Sequence, residues 1–309
     1  MEPELLAAGD RFPNVQVADS AGQRSLYNRH QGGPVLIVWG APIAAITAAA
    51  DRTWLVLALH ADAGAKHWIE ANAALHASVA GARTSGALLL DPALRVWQRF
   101  DATDSADLLA QLSGRTGWSP PAGGQGLHGS APVLVLPRIL EPALCAEVIA
   151  HYRVSGGLPS GVLQYQHGQP QFALDATVKM RRETVIADAA LEARVHERVM
   201  QRVLPEIQRA FAFEVRQREH FKIIAYPAGA GYFRPHRDND TADVAYRRFA
   251  MTLNLNTGGY RGGCLRFPEF GPHDYEAEAG GACIFSCSLL HEATDVTAGE
   301  RLAMTSFLY

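Results

Sequence analysis

Apolar positions along the chain follow two different rhythms. In the first third, short unbroken runs such as "GPVLIVWG" (33–40), "RTWLVLALH" (52–60) and "GALLLDP" (86–92) predict buried strands. Between them "AGAKHWIEANAALHASVA" (63–80) predicts a helix. This alternation of strands and helices points to an α/β layer fold. Beyond residue 130, "APVLVLPRIL" reads as a strand and "EPALCAEVIAHYR" as a helix opened by Glu141 and Pro142. Residues 188–210 predict one amphipathic helix, with Asp188 as its N-cap and Leu191, Val195, Val199, Val203 and Ile207 along one side, extended by Leu204 and Phe211.

From residue 214 the pattern shortens into strands and glycine-broken turns: "HFKIIAYPAG", "RFAMTLNLN", "GCLRFPEF", "GACIFSCSL" and "RLAMTSFLY". That spacing predicts a barrel or double-sheet jelly roll, with helices in support. Between the two regimes lies "GWSPPAGGQGLHGSAP" (117–132), whose glycine and proline oppose any regular element. The expected organisation is therefore a first domain over 1–118, a linker over 119–131 and a second domain over 132–309. The class is α+β overall.

Charge narrows the partners. With 28 basic and 31 acidic residues the formal charge is −3, which predicts neither nucleic-acid nor membrane-surface binding. The first residues lack the pattern of a signal peptide, and no apolar run is long enough for a membrane span, so a cytoplasmic protein is expected. All four cysteines (Cys145, Cys264, Cys283 and Cys287) lie beyond residue 144 and read as reduced, buried residues. Cys283 and Cys287 are expected on one face of a strand, with no further ligands to complete a zinc site.

The chemistry concentrates in "YFRPHRDND" (232–240) and "LLHEATDVTAGERLAMTSFLY" (289–309). Residues two apart on a strand share a side, so His236 and Asp238 can present an imidazole and a carboxylate to one ion, and His291 can complete the set from a facing strand. Two histidines and a carboxylate leave coordination positions open for substrates. A histidine near a strand end is also an ordinary hydrogen-bonding group, and an HxD triplet alone is weak.

The flanks decide between these readings. "FKIIAYPAGAGYFRPHRDND", "LNLNTGGYRGGCLRFPEF" and the distal-histidine segment resemble, in that order, the catalytic domain of Fe(II)- and 2-oxoglutarate-dependent dioxygenases, on the prolyl 4-hydroxylase-like branch. The likeness covers about residues 130–309. It implies a double-stranded β-helix, Fe(II) held by His236, Asp238 and His291, and Arg301 gripping the distal carboxylate of 2-oxoglutarate. An arginine fork suits a planar carboxylate; the plainer alternative is that Arg301 follows the turn "TAGE" and pairs with a surface acid. Tyr226, ten residues before His236, matches a tyrosine lining the cosubstrate side. Thr252, Asn254 and Asn256 share a strand face and are further candidates for polar contacts; a tyrosine that some relatives carry near Asn254 is absent.

The implied reaction consumes dioxygen and 2-oxoglutarate, releases succinate and carbon dioxide, and hydroxylates a C–H bond of a peptidyl residue, amino acid or small molecule, with ascorbate as an accessory reductant. A carboxylate at Asp238 speaks against halogenation, which needs a small residue there. Residues 155–185 are candidates for a substrate lid, with Lys179, Arg181 or Arg182 available to an anionic ligand or else covering a solvated edge. Residues 234–248 are a candidate flap. The opening "LLAAGDRFPNVQVADSAGQRSLYNRHQGGPVLIVWG" and "GALLLDPALRVWQRFDA" resemble peroxiredoxins and other thioredoxin-fold proteins over about residues 5–115. Where that family has its reactive cysteine this chain has "APIAAI", so thiol chemistry is excluded there. A structural, dimerising or partner-binding role is left, and a homodimer is one expectation. The competing readings for the whole chain are a noncatalytic two-domain scaffold and a cupin-like zinc or manganese enzyme that does not use 2-oxoglutarate.

Overall fold

The structure is a computed structural model that describes residues 5–7, 10, 12–19, 22–26, 33–41, 43–49, 55–59, 67–69, 73–92, 94–113, 130–166 and 169–309. Most of the expected linker, residues 119–129, lies outside the described residues. The chain divides into two compact units, Met1–Ser130 with Pro268–Gly271, and Ala131–Phe267 with Pro272–Tyr309.

In the first unit β1 (Gln16–Asp19), β2 (Gly22–Ser25), β3 (Val35–Trp39), β4 (Leu55–Ala58), β5 (Trp68–Ile69), β6 (Ser85–Leu90) and β7 (Val96–Ala102) form one sheet in the order β2-β1-β5-β4-β3-β6-β7. Pairing is parallel for β3-β4 and β4-β5 and antiparallel for the rest. The unbroken apolar run of β3 has a simple cause, since both of its faces are covered. Val35, Ile37 and Trp39 join one core and Leu36 and Val38 the other. Helices α1 (Ile43–Ala49), α2 (Ala73–Val79) and α3 (Ser105–Leu112) complete the described part. Of the helix expected over 63–80, Ala73–Val79 is helical, Trp68–Ile69 is not, and residues 63–66 and 70–72 lie outside the described residues. Trp68–Ile69 is a strand, because pairing with β1 and β4 on either side outweighs a helical spacing that is local and weak.

The second unit has two antiparallel sheets. The smaller joins β12 (Lys179–Met180), β15 (Tyr232–His236), β21 (His291–Ala293), β18 (Leu265–Arg266) and β19 (Asp274–Tyr275). The larger runs β8 (Leu134–Leu136), β20 (Ala282–Ser286), β16 (Phe249–Asn254), β22 (Val296–Leu308), β14 (Lys222–Pro227), β13 (Arg182–Val185), β9 (Leu158–Pro159), with β17 (Tyr260–Gly262) paired to β22. β10 (Val162–Gln166) and β11 (Gln169–Ala173) form a separate hairpin within the candidate lid region.

Helices α4 (Pro142–Ser155), α5 (Ala189–Arg202) and α6 (Leu204–Phe211) cover one face of the larger sheet, packing Val148, Leu191, Val195, Val199, Val203 and Ile207 against Ile223, Met251, Ile284 and Met304. Asp188 caps α5 as expected, accepting from the amides of Ala190 and Leu191. The single helix expected over 188–210 is two, parted at Val203 with Pro205 in the first turn of the second. Proline has no N–H to donate and crowds the carbonyl four residues earlier. The apolar stripe nevertheless continues across the break, because Val203 and Ile207 are both fully buried. Cys283 lies in β20, but Cys287 follows its end, where its carbonyl accepts from Asp238 N–H, so the two do not share a strand face.

Candidate active site

Alternation places the site. On β14, β16, β20 and β22 one set of residues faces the helices. The other set faces the smaller sheet: Lys222, Ile224 and Tyr226; Ala250 and Thr252; Phe285; Arg301, Thr305 and Phe307. Together with Phe233, His236, Leu265, His291 and Ala293 of the smaller sheet, and with Arg181 and Asp238, they line a recess open to solvent.

β15 ends at His236, β21 begins at His291, and the two residues are paired directly across these strands. His291 therefore comes from the neighbouring strand of the same sheet, not from a facing one. Asp238 follows the strand end, pinned by the bond from its N–H to the Cys287 carbonyl, 3.0 Å. Potential ligand atoms of the three residues lie within 4.8 Å of one another. His236 Nε2 is 3.5 Å from Asp238 Oδ1 and His291 Nε2 is 3.3 Å from Oδ2.

Both imidazoles are oriented from behind. His236 Nδ1 lies 2.8 Å from the Arg234 carbonyl and His291 Nδ1 lies 3.0 Å from that of Leu289. A carbonyl only accepts, so each Nδ1 carries a proton and Nε2 is the atom left to ligate an ion. Phe233 stacks on His236 at 3.4 Å between ring centroids, and Phe285 meets His291 edge-on at 4.6 Å. Burial pushes the His291 pKa down to about 4, which leaves the ring neutral at physiological pH. For Asp238 burial acts the other way, but the two imidazoles outweigh it and hold the carboxyl below its ordinary range. A neutral imidazole at His291 and an ionised carboxylate at Asp238 are protonation states that a metal requires. The donor set of two nitrogens and one carboxylate on one side of the cavity fits Fe(II).

Arg301 lies on β22 opposite Tyr226 of β14 and is almost completely buried, with 2% exposure. Among the described residues it pairs with no surface acid. Its Nη2 donates to Asn254 Oδ1 at 3.0 Å, its Cζ lies 5.4 Å from the Tyr226 ring centroid, and its Nε has no partner. A buried guanidinium with an unused donor, on a residue that lines a cavity, is costly unless an anion joins it. Tyr226 and Thr252 line the same cavity, as expected. Asn254 does not line it. Its amide bridges Arg301 and the Ala277 carbonyl, which makes it a positioning residue for the guanidinium. Asn256 is turned to the backbone of Glu300 and Leu302. Among the paired glycines, Gly263 has φ +68°, and a Cβ there would come within 2.9 Å of Arg301 Cδ. Glycine is required at that turn by backbone conformation and by the arginine beside it.

Of the three candidate cations in 155–185, Arg182 is committed to the carbonyls of Gly156 and Gly157. Arg181 lines the cavity and donates to the Tyr226 hydroxyl at 3.1 Å. Lys179 lies 5.1 Å from the Phe233 ring centroid. Sequence reasoning does not single out Lys222, Phe233 or Phe285; the alternation along their strands is the signal that could have found them.

Burial, then the nearby Arg181 and Lys222, push the Lys179 pKa down to about 7, against the pull of Glu183 and Asp238. The unfolded chain then binds more protons than the folded one between about pH 7 and the ordinary lysine value near 10.4. This contribution to stability therefore grows as pH rises through that window. Lys179→Met is expected to raise the melting temperature at pH 7 and to flatten its rise between pH 7 and 10. Thermal melts of both proteins across that range check the sign.

No protein-family model matches the chain. It is 35% identical over 92 residues to a PKHD-type hydroxylase of Psychrobacter sp. (strain PRwf-1), a match that takes in 27% of this chain and 35% of the relative. The match thus spans about a third of that protein's length. Among solved structures the chain is similar to a Pseudomonas putida prolyl-4-hydroxylase, with 24% identity over 59% of this chain and 92% of the other and a TM-score of 0.46. It is also similar to a viral collagen prolyl hydroxylase from Paramecium Bursaria Chlorella virus-1, solved as a 2OG complex, at 16% identity over 59% and 98% of the two chains and TM-score 0.43. A third is a Trichoplax adhaerens prolyl hydroxylase in complex with a hypoxia inducible factor peptide, at 15% identity over 58% and 84% and TM-score 0.45. Among the described residues no helix is long and apolar enough to cross a membrane.

Proposed function

We propose that this chain is an Fe(II)- and 2-oxoglutarate-dependent oxygenase that hydroxylates a C–H bond of an amino acid, a peptidyl residue or a related small molecule. The observation that carries this reading is the convergence, in one cavity, of an open His236–Asp238–His291 triad and a buried Arg301 with an unused donor. The sequence likeness to a PKHD-type hydroxylase is in keeping with it. On this reading the two sheets of the second unit form a double-stranded β-helix.

When bound there, Fe(II) would activate dioxygen, the oxidant, and 2-oxoglutarate would supply two of the four electrons, so that one oxygen atom enters the C–H bond and the other enters succinate as carbon dioxide is lost. The protein's part is positional. His236, Asp238 and His291 would hold the ion and leave it open to ligands from solution. Arg301 takes the distal carboxylate of 2-oxoglutarate through charge-assisted hydrogen bonds. Asn254 fixes the guanidinium, and Tyr226 lies against it. Phe233, Phe285 and Phe307 exclude water from the reacting centre and limit side reactions.

The first unit we read as a thioredoxin-fold module of the peroxiredoxin kind. Its sheet order and its parallel β3-β4-β5 centre support the reading, and the absence of cysteine before residue 145 removes thiol catalysis from it.

Anaerobic titration with Fe(II), with and without 2-oxoglutarate, tests the proposal. A visible charge-transfer band that requires 2-oxoglutarate and disappears in His236→Ala is expected. A folded, Fe(II)-binding protein that never develops the band would falsify the cosubstrate assignment.

A further inference from the structure

We infer that Lys179, Arg181 and Lys222 form a second anion socket in the cavity, separate from Arg301, which binds a carboxylate of the molecule to be oxidised. The inference rests on the oxygenase reading above and specifies its substrate class.

Register brings these cations to the cavity face. Lys179 of β12 pairs with Phe233 of β15, Phe233 with Ala293 of β21, and Ala293 with Leu265 of β18. Directly opposed residues on neighbouring strands point to the same side of a sheet. Phe233, Ala293 and Leu265 all line the cavity, so Lys179 begins the same row. Lys222 begins a comparable row in the other sheet, followed by Thr305 and Thr252. Arg181 lies in the one-residue gap between β12 and β13 and lines the cavity directly.

The charges there do not balance. One carboxylate, Glu183, serves Arg181 Nη2 at 3.1 Å and Lys222 Nζ at 3.6 Å, and it also accepts from Ser160 Oγ at 2.7 Å. Asp238 faces the two histidines. The Lys179 ammonium has no carboxylate within ion-pair distance among the described residues, and it lies instead over the face of Phe233. Arg181, Lys222 and, when protonated, Lys179 share Glu183, while the more distant Asp238 is turned to the histidines, so in a recess partly shielded from water they repel one another unless an anion enters.

Tyr226 separates this socket from that of the cosubstrate. Both guanidinium carbons lie near its ring, Arg181 Cζ at 5.9 Å and Arg301 Cζ at 5.4 Å from the centroid, but Arg181 donates to its hydroxyl whereas Arg301 is tied to Asn254. Phe233 carries Arg181 and Lys179 near its ring, at 5.0 and 5.1 Å, and itself stacks on His236. A carboxylate held by these cations would thus be anchored beside a metal-ligating histidine, with the rest of the substrate left to reach the ion. An arginine fork with two flanking ammonium groups suits a carboxylate, and the source is either a free amino acid or an acidic residue of a peptide.

The test uses the whole 309-residue chain loaded with Mn(II) and saturating 2-oxoglutarate. Water-proton relaxation first reports whether Mn(II) and 2-oxoglutarate bind. Proton NMR then follows the Mn(II)-induced broadening of N-acetylproline, N-acetylalanine and N-acetylglutamate against the corresponding neutral amides, and of the acetylated, amidated tripeptide Ala-Glu-Ala against Ala-Gln-Ala. The acids are expected to bind roughly tenfold or more tightly than the neutral partners, and to lose that preference in Lys179→Met and in Lys222→Met. Preference for the single amino acids over the glutamyl tripeptide identifies a free acid as the source, and the reverse order a peptide. Normal Mn(II) and 2-oxoglutarate binding, with acids and amides broadened equally or with the acid preference kept in both variants, overturns the socket but leaves the oxygenase reading standing. Failure of Mn(II) and 2-oxoglutarate to bind overturns both.

Discussion

Asp238→Ala is expected to lower Fe(II) affinity by more than about 100-fold and to eliminate 2-oxoglutarate turnover. Loss of an outer-shell partner of a metal ligand typically costs about 10- to 100-fold in affinity, and loss of the single charged ligand should exceed that. Asp238 is the only carboxylate among the three converging residues, so two neutral nitrogens would remain to bind a divalent cation. Asp238→Asn keeps an oxygen donor but removes the charge, and is expected to fall between the parent and the alanine variant. Titration with Fe(II) or Mn(II), followed by calorimetry, measures the series. Unchanged metal affinity in Asp238→Ala would place the ion elsewhere and remove the basis of the proposed chemistry.

Arg301→Met should have opposite effects on stability and on binding. Among the described residues the buried guanidinium makes one side-chain hydrogen bond and leaves Nε without a partner. Exchange for an apolar side chain of similar reach relieves a desolvated charge but leaves the Asn254 oxygen short of one donor, at a cost of about 1–3 kcal/mol. These terms offset, so the melting temperature of the free protein should change little. Binding of 2-oxoglutarate has no such offset. Each hydrogen bond to a charged group contributes about 1.5–3 kcal/mol, and loss of a two-point grip weakens affinity by roughly 100-fold or more. Thermal shift with saturating 2-oxoglutarate and Mn(II) reads both quantities: the parent gains stability and the variant does not. An equal gain in both proteins would assign the distal carboxylate to another group.

Several features of the site are legible in the sequence because they are local. His236 and Asp238 are two residues apart, and Arg301 follows His291 by ten, spacings that survive in any strand pairing. The alternation in "FKIIAYP" and "RLAMTSFLY" separates the helix-facing residues Ile223, Leu302 and Met304 from the cavity-facing residues Tyr226, Arg301 and Thr305. Helix α5 begins at Asp188 because a carboxylate can serve two free amides at a helix start, a preference set within four residues. The departures from expectation have equally definite origins. Trp68–Ile69 carries a helical spacing but lies between two strands that can pair with it, and the helix over 188–210 parts where Pro205 cannot donate.

Residue types and short-range spacing, then, are written in the chain: two imidazoles and an arginine on strands of known alternation, a carboxylate two residues beyond the first imidazole, and a first unit without a thiol. Other properties depend on contacts between segments far apart in the chain. Spacing makes Asn254 a candidate for touching 2-oxoglutarate, and only the pairing of β16 with β22 shows that it holds Arg301 instead. Lys179 is one of three interchangeable cations until the register of β12 against β15, more than fifty residues away, sets it opposite Phe233 and beside the cavity. A shift of one residue in that register would turn Lys179 to the other face without changing any local preference. Register of this kind is chosen by packing across the sheet, so it is a property of the tertiary structure.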